Sequence, residues 1–184
     1  AKVKQGSDRV AYRVGVLTGL RDPLIPPRRL HSVGGGDFVA VGEEFFRYFL
    51  DLARLEPHER VLDIGCGTGY FAAKMKENGW IVTGIEPAAK AMEIGIRRFG
   101  LEILEPEKIA SLTEGSFDVI TMWHSLEHLN DPFYYSREIL RLLKPEGLLI
   151  SALPNCSSYD AEHYGSSWAA YDVPRHLWHF TPHT

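Results

Sequence analysis

Three glycines, two carboxylates and a scatter of histidines are the groups in this chain best suited to binding or reacting with a ligand. In Val61-Leu62-Asp63-Ile64-Gly65-Cys66-Gly67-Thr68-Gly69-Tyr70 an apolar run enters a glycine loop and leaves it into helix-forming sequence. Glycines let a chain turn sharply and let a ligand lie directly against the backbone. The helix behind them offers free N–H groups and a partial positive charge to electron-rich ligand atoms. Glu86 lies about twenty residues beyond the glycines, where an acidic side chain can accept hydrogen bonds from both ribose hydroxyls.

Two ligand classes use such a loop. A dinucleotide needs its third glycine one place later for close helix–strand packing, and Tyr70 stands there. A dinucleotide also brings a pyrophosphate, which Asp63, two residues before the first glycine, would repel. S-adenosylmethionine has no phosphate and carries a cationic sulfonium and ammonium, so a carboxylate there helps. The methyl donor is the better fit.

The elements that must position these residues alternate. Val61–Ile64, Trp80–Ile85, Leu101–Leu104, Phe117–Met122 and Leu148–Leu153 read as strands. Helices are expected over Thr68–Asn78, closed by Gly79, over Ala88–Phe99 before Gly100, and over Pro132–Leu143, with Pro at a first-turn position. Such alternation makes a parallel sheet with helices on both faces. Ahead of it, Val41, Phe45, Phe49, Leu52 and Leu55 recur at helical spacing up to Pro57. Residues 1–36, with Pro23, Pro26, Pro27 and Gly34-Gly35-Gly36, read as an arm or lid. After Pro154 the pattern fails, and residues 155–184, rich in aromatics and histidines, read as a loop over the active site.

The stretch 60–154 resembles the class I S-adenosylmethionine-dependent methyltransferases. Phe117-Asp118-Val119-Ile120-Thr121-Met122-Trp123-His124-Ser125-Leu126-Glu127-His128-Leu129-Asn130-Asp131-Pro132, Leu142-Leu143-Lys144-Pro145-Glu146-Gly147-Leu148-Leu149 and Asp172-Val173-Pro174-Arg175-His176-Leu177 are similar to the branch typed with ubiquinone-type O-methyltransferases. The resemblance implies a Rossmann-like α/β three-layer sandwich with a mostly parallel sheet. It also implies an S-adenosylmethionine site built from Asp63, Gly65, Cys66, Gly67, Gly69, Glu86, Pro87, Trp123 and His124. Within it Cys66 reads as a small buried filler. The family's contact to adenine after the third strand has no clear match in Glu105-Pro106-Glu107-Lys108. The family sheet has seven strands, the last two an antiparallel pair at one edge, and only five are legible here. The methyltransferase domain is expected over 37–184, its cofactor-binding core over 58–154.

His124 and His128 are four apart, so a helix would put them on one face. A zinc site would want further ligands at recognisable spacing; no Cys/His cluster offers them, and no metal is expected. His124 reads equally as pocket wall or as general base, and His176 is the second candidate base, since histidine exchanges protons near neutral pH. His128, Arg175 and His176 are the candidate substrate contacts, Arg175 binding a carboxylate or phosphate or else pairing with Asp172.

The reading is methyl transfer to a small-molecule acceptor, by expectation at a hydroxyl with nitrogen and carbon left open, and holding the acceptor in line with a reactive methyl supplies most of the catalysis. The alternatives are a nicotinamide-dependent oxidoreductase and a non-catalytic S-adenosylmethionine-binding domain. In a chain of 184 residues with net charge −4, no basic run marks a nucleic-acid groove. No apolar run spans a bilayer, and two cysteines make no disulfide framework, so a cytoplasmic location is expected. Phe180-Thr181-Pro182-His183-Thr184 reads as the start of a helix capped by Thr181, with Pro182 at its first position. The five-stranded sheet would leave its fifth strand as an open edge, inviting self-association or a cover from the arm or tail.

Overall fold

The computed structural model describes Glu43, Glu44, Phe46, Arg47, Phe49, Leu50 and residues 55–184. The expected arm over 1–36, together with Val41, Phe45 and Leu52 of the leading helix, lies outside the described residues. The chain divides into two compact units, 1–55 and 56–184. In the first, the described residues from 43 to 50 are helical, and the rings of Phe46 and Phe49 stack with centroids 6.2 Å apart.

The second unit runs β1 (Arg60–Ile64), α1 (Tyr70–Glu77), β2 (Ile81–Ile85), α2 (Ala89–Phe99), β3 (Glu102–Leu104), β4 (Phe117–Trp123), α3 (Pro132–Leu142), β5 (Leu143–Ala152) and α4 (Tyr159–Tyr164). The strands form one parallel sheet in the order β3-β2-β1-β4-β5. The chain reverses direction of travel between β3 and β4, so the carboxyl ends of β1 and β4 lie side by side where a ligand crevice forms in such sheets. Burial on both faces explains why β1, β2 and β4 read as nearly unbroken apolar runs. Leu62, Ile64, Ile85, Ile109, Phe117, Ile120, Met122, Ile139 and Leu142 make the core.

Local chemistry accounts for the ends. Asp131 caps α3, its side chain accepting from the Tyr134 N–H at 2.8 Å, and Pro132 occupies the first turn as expected. Gly100 ends α2 in the left-handed region. At Gly95 a Cβ would sit 2.4 Å from Ile103 Cδ1 and 3.1 Å from the Thr68 carbonyl oxygen. A glycine there lets α2 press against β3 and the glycine loop.

Two expectations are corrected. The fifth strand begins at Leu143 rather than Leu148: Leu143 already pairs with Phe117, and an irregularity follows before Leu148 meets Val119. A turn residue cluster, Lys144-Pro145-Glu146-Gly147, hid this start. The tail is not irregular throughout, because Ser158 caps the short helix α4 by accepting from the Ala161 N–H at 3.2 Å, and 3-10 turns follow at Gly165–Ser167 and Ala169–Tyr171. Residues 181–184 form a turn, with the Thr184 N–H donating to the Thr181 carbonyl. Thr181 Oγ1 does accept from the His183 N–H at 3.3 Å, as a cap would. Among the described residues β5 pairs with β4 alone, and a single parallel bridge, Asn155 to Phe180, follows past its end.

Candidate active site

The site is assembled at the carboxyl ends of β1, β2 and β4. After Ile64 the chain turns through Gly65, Gly67 and Gly69, all at positive φ, before α1 begins at Tyr70. The N–H groups of Gly65 and Cys66 both donate to the Ile85 carbonyl, at 2.8 and 3.1 Å, which ties the loop to the end of β2. Gly65 is constrained twice. Its φ is +80°, and a Cβ there would fall 2.5 Å from the Ser125 Cβ. Ser125 in turn donates to the Ile64 carbonyl at 2.8 Å, so the loop after β4 is held against the loop after β1.

Two carboxylates underlie this loop. Asp63 is 2% exposed and accepts from Thr121 Oγ1 at 2.8 Å. Burial pushes its carboxyl up from 3.8 to about 7; the Thr121 hydrogen bond opposes this, and the charge of Glu86 adds to it. Glu86, also buried, accepts from the Gly67 N–H at 2.8 Å and the Ala88 N–H at 2.9 Å, spanning Pro87, which has no N–H to offer. Its two oxygens retain further lone pairs for hydroxyl donors. Cys66 packs its Sγ where a Cβ on Gly84 would be, 2.6 Å away. Burial first, then the charges of Asp63 and Glu86, push its thiol up to about 12. A partly buried thiol raised in this way packs beneath the loop and is disfavoured as a nucleophile.

At the end of β4 the Trp123 ring stands edge-on to Phe71 of α1, centroids 5.0 Å apart. His124 follows at φ +51°, its N–H donating to the Ala152 carbonyl at 3.0 Å. Its side chain is 66% exposed, and Nδ1 lies 3.5 Å from Glu127 Oε1. His124 and His128 do not share a helical face, because residues 126–128 form a single 3-10 turn after an irregular step.

The segment Asp172–Trp178 folds back onto that turn. Leu177 and Trp178 donate their N–H groups to the Glu127 carbonyl at 2.8 and 3.3 Å, and Trp178 Nε1 donates to Leu129 O at 2.8 Å. His128 Nδ1 meets the Arg175 carbonyl at 3.0 Å, and the rings of His128 and His176 lie 4.7 Å apart. Arg175 pairs through its guanidinium with Asp172 at 2.5 Å. That hydrogen bond, ahead of the opposing effect of desolvation, holds Asp172 below the usual carboxylate range. Arg175 thus has an internal partner, while its side chain remains 75% exposed.

Sequence spacing offered no third ligand beside His128, yet the fold supplies one. Donor atoms of Glu127, His128 and His176 all lie within 4.8 Å of one another, and these three could together hold a divalent cation. Thr121 is not singled out by sequence spacing, and Glu127 reads from sequence only as a residue that ties the loop down with His128. Thr121 is found only through register, because parallel pairing sets it opposite Asp63. Glu127 had one signal, its place three residues after His124.

Comparison with known proteins agrees with this geometry. The methyltransferase domain family matches residues 40–184. A ubiquinone biosynthesis O-methyltransferase from Xanthomonas oryzae pv. oryzae (strain PXO99A) is 34% identical over 165 residues, covering 84% of this chain and 65% of its own length. The chain thus spans just under two thirds of that relative. Among solved structures, a SAM-dependent methyltransferase from Archaeoglobus fulgidus is 26% identical with a TM-score of 0.59, over 80% of this chain and 70% of that one. A SAM-dependent methyltransferase from Thermotoga maritima, described as a possible histamine N-methyltransferase, is 26% identical with a TM-score of 0.58, over 79% and 74%. The two solved structures share the fold with this chain, and the chain belongs to the methyltransferase domain family.

Proposed function

We propose that this chain carries the catalytic site of an S-adenosylmethionine-dependent methyltransferase acting on a small-molecule hydroxyl. One observation carries the reading. Two buried carboxylates, Asp63 and Glu86, flank the glycine loop, and burial raises Asp63 to about 7, so that a cation beside it favours its ionised form. That arrangement suits a sulfonium and an ammonium and opposes a pyrophosphate. Asp63, Gly65, Gly67, Gly69, Glu86 and Pro87 would hold the cofactor, with Cys66 packing the loop from beneath and Trp123 and His124 bounding the site. Bound there, S-adenosylmethionine supplies a methyl group already activated on sulfur.

The chain's own residues then have limited work. The Ser125–Ile64 and Gly65–Ile85 hydrogen bonds keep the loop rigid, which serves in-line placement of an acceptor. His124, exposed beside the loop, is the first candidate to take a hydroxyl proton; His176, held by the Ala170 carbonyl at 2.8 Å, is the second. His128, Arg175 and His176 are proposed to face the acceptor side. The name of the Xanthomonas relative supports oxygen as the accepting atom. Isothermal titration should show S-adenosylmethionine binding and NAD failing to bind. Binding of NAD alone would return the oxidoreductase reading. Binding of S-adenosylmethionine without turnover to S-adenosylhomocysteine across phenols, catechols and amines would favour a non-catalytic domain. Among the described residues no helix is long and apolar enough to cross a membrane.

A further inference from the structure

Three imidazoles surround one buried carboxylate, and their hydrogen bonds decide what each ring can do. Glu127 is 1% exposed, and neither of its oxygens has a hydrogen-bond partner among the described residues. Buried side-chain oxygens are normally hydrogen-bonded, so this pair calls for a donor. His128 Nδ1 lies 3.0 Å from the Arg175 carbonyl and His176 Nδ1 lies 2.8 Å from the Ala170 carbonyl. A carbonyl only accepts, so in each neutral ring Nδ1 carries the proton and Nε2 is left an acceptor. Neither of these rings, when neutral, can donate to Glu127. His124 differs: among the described residues no carbonyl holds its ring, and its Nδ1 lies 3.5 Å from Glu127 Oε1.

We propose that Glu127 is a positioning residue that fixes the tautomer of His124, accepting from Nδ1–H and leaving Nε2 as the basic nitrogen. The role in catalysis rests on His124 being the base of the proposed function; the tautomer does not. The acceptor's O–H proton passes to Nε2 as its oxygen takes the methyl group, and the electron pair of the broken carbon–sulfur bond stays on sulfur. The imidazolium so formed faces the Glu127 carboxylate. Long catalytic contacts that tighten on ligand binding are usual in unliganded sites. The backbone helps as well, since His124 is anchored through its N–H to the Ala152 carbonyl at 3.0 Å.

The test is a long-range 15N–1H correlation spectrum of the histidine-labelled full chain, treated with chelator, at a pH above the ordinary histidine range. His124 is assigned by loss of its signals in H124Q. The Nδ1–H tautomer is expected in the wild type and, because an amide oxygen can still accept, in E127Q. E127M, an apolar replacement of similar size, should shift His124 to a mixture or to Nε2–H while the signals of His128 and His176 stay in place. A wild-type Nε2–H form, or an unchanged His124 in a folded E127M, would overturn the proposal. With catechol as the acceptor probe, E127M should lower kcat about tenfold or more, as when a histidine base loses the carboxylate that fixes its tautomer. Its Kd for S-adenosylmethionine should be unmoved, and E127Q should recover part of the rate. Full catechol methylation by H124Q would remove His124 as base and leave the tautomer result standing on its own.

Discussion

The charge state of Asp63 makes a sharp prediction, because burial raises its carboxyl from 3.8 to about 7. A group with that value is about one-eleventh ionised at pH 6 and about ten-elevenths ionised at pH 8. If the cationic cofactor needs the charge, affinity should be about tenfold weaker at pH 6 than at pH 8, and binding at pH 6 should release about 0.9 proton. Asp63→Asn keeps an acceptor for Thr121 Oγ1 but cannot ionise. It should bind weakly at both values without that pH dependence, and comparison with it removes any titration of the ligand itself. The sign for folding runs the other way. The folded, unliganded protein holds the proton more tightly than the unfolded chain does. Its stability therefore falls as pH rises from 3.8 to about 7, by at most about 4 kcal/mol. Titration calorimetry in buffers of different ionisation enthalpy reads the proton count directly. Release near zero at pH 6, or equal pH dependence in Asp63→Asn, would refute the reasoning.

Glu86→Ala removes the acceptor for the Gly67 and Ala88 N–H groups and the one proposed for the ribose, and should cost about 1–3 kcal/mol of S-adenosylmethionine binding by calorimetry. Undiminished affinity would show that the anchor lies elsewhere. Gly95→Ala drives a Cβ to 2.4 Å from Ile103 Cδ1 and should cost about 1–3 kcal/mol in urea unfolding. Cys66, with its thiol pushed up to about 12, should resist iodoacetamide in the folded chain at pH 8 and react on unfolding. Lys144→Ala removes the partner of Asp118. Burial would raise that carboxyl, but the hydrogen bond and charge of Lys144 and the Arg60 N–H hold it low. The pair thus stabilises above the ordinary carboxylate range and fades as pH falls, so about 0.5–1 kcal/mol should be lost near pH 7 and less in acid.

What the sequence determined by itself was whatever depends on neighbours along the chain. Buried parallel strands read as apolar runs, and β1, β2 and β4 matched within a residue. Pro132 marked the start of α3 and Gly100 the end of α2 because each residue's own dihedral preference acts locally. The glycine loop with Asp63 and Glu86 was legible for the same reason, since strand, turn and helix follow one another at a spacing that geometry sets. The start of β5 was not, because Leu143 becomes a strand residue only by pairing with Phe117. Contacts between distant segments were decided by tertiary structure alone. Thr121 reaches Asp63 through strand register, Ser125 closes on Gly65 because two loops leave adjacent strands, and the tail brings His176 to His128 across 48 positions. Spacing along a chain carries information about the angles of consecutive residues. It carries none about which carbonyl will meet which ring once a sheet and its loops have packed, and the roles proposed for Glu127 and His124 rest on that meeting.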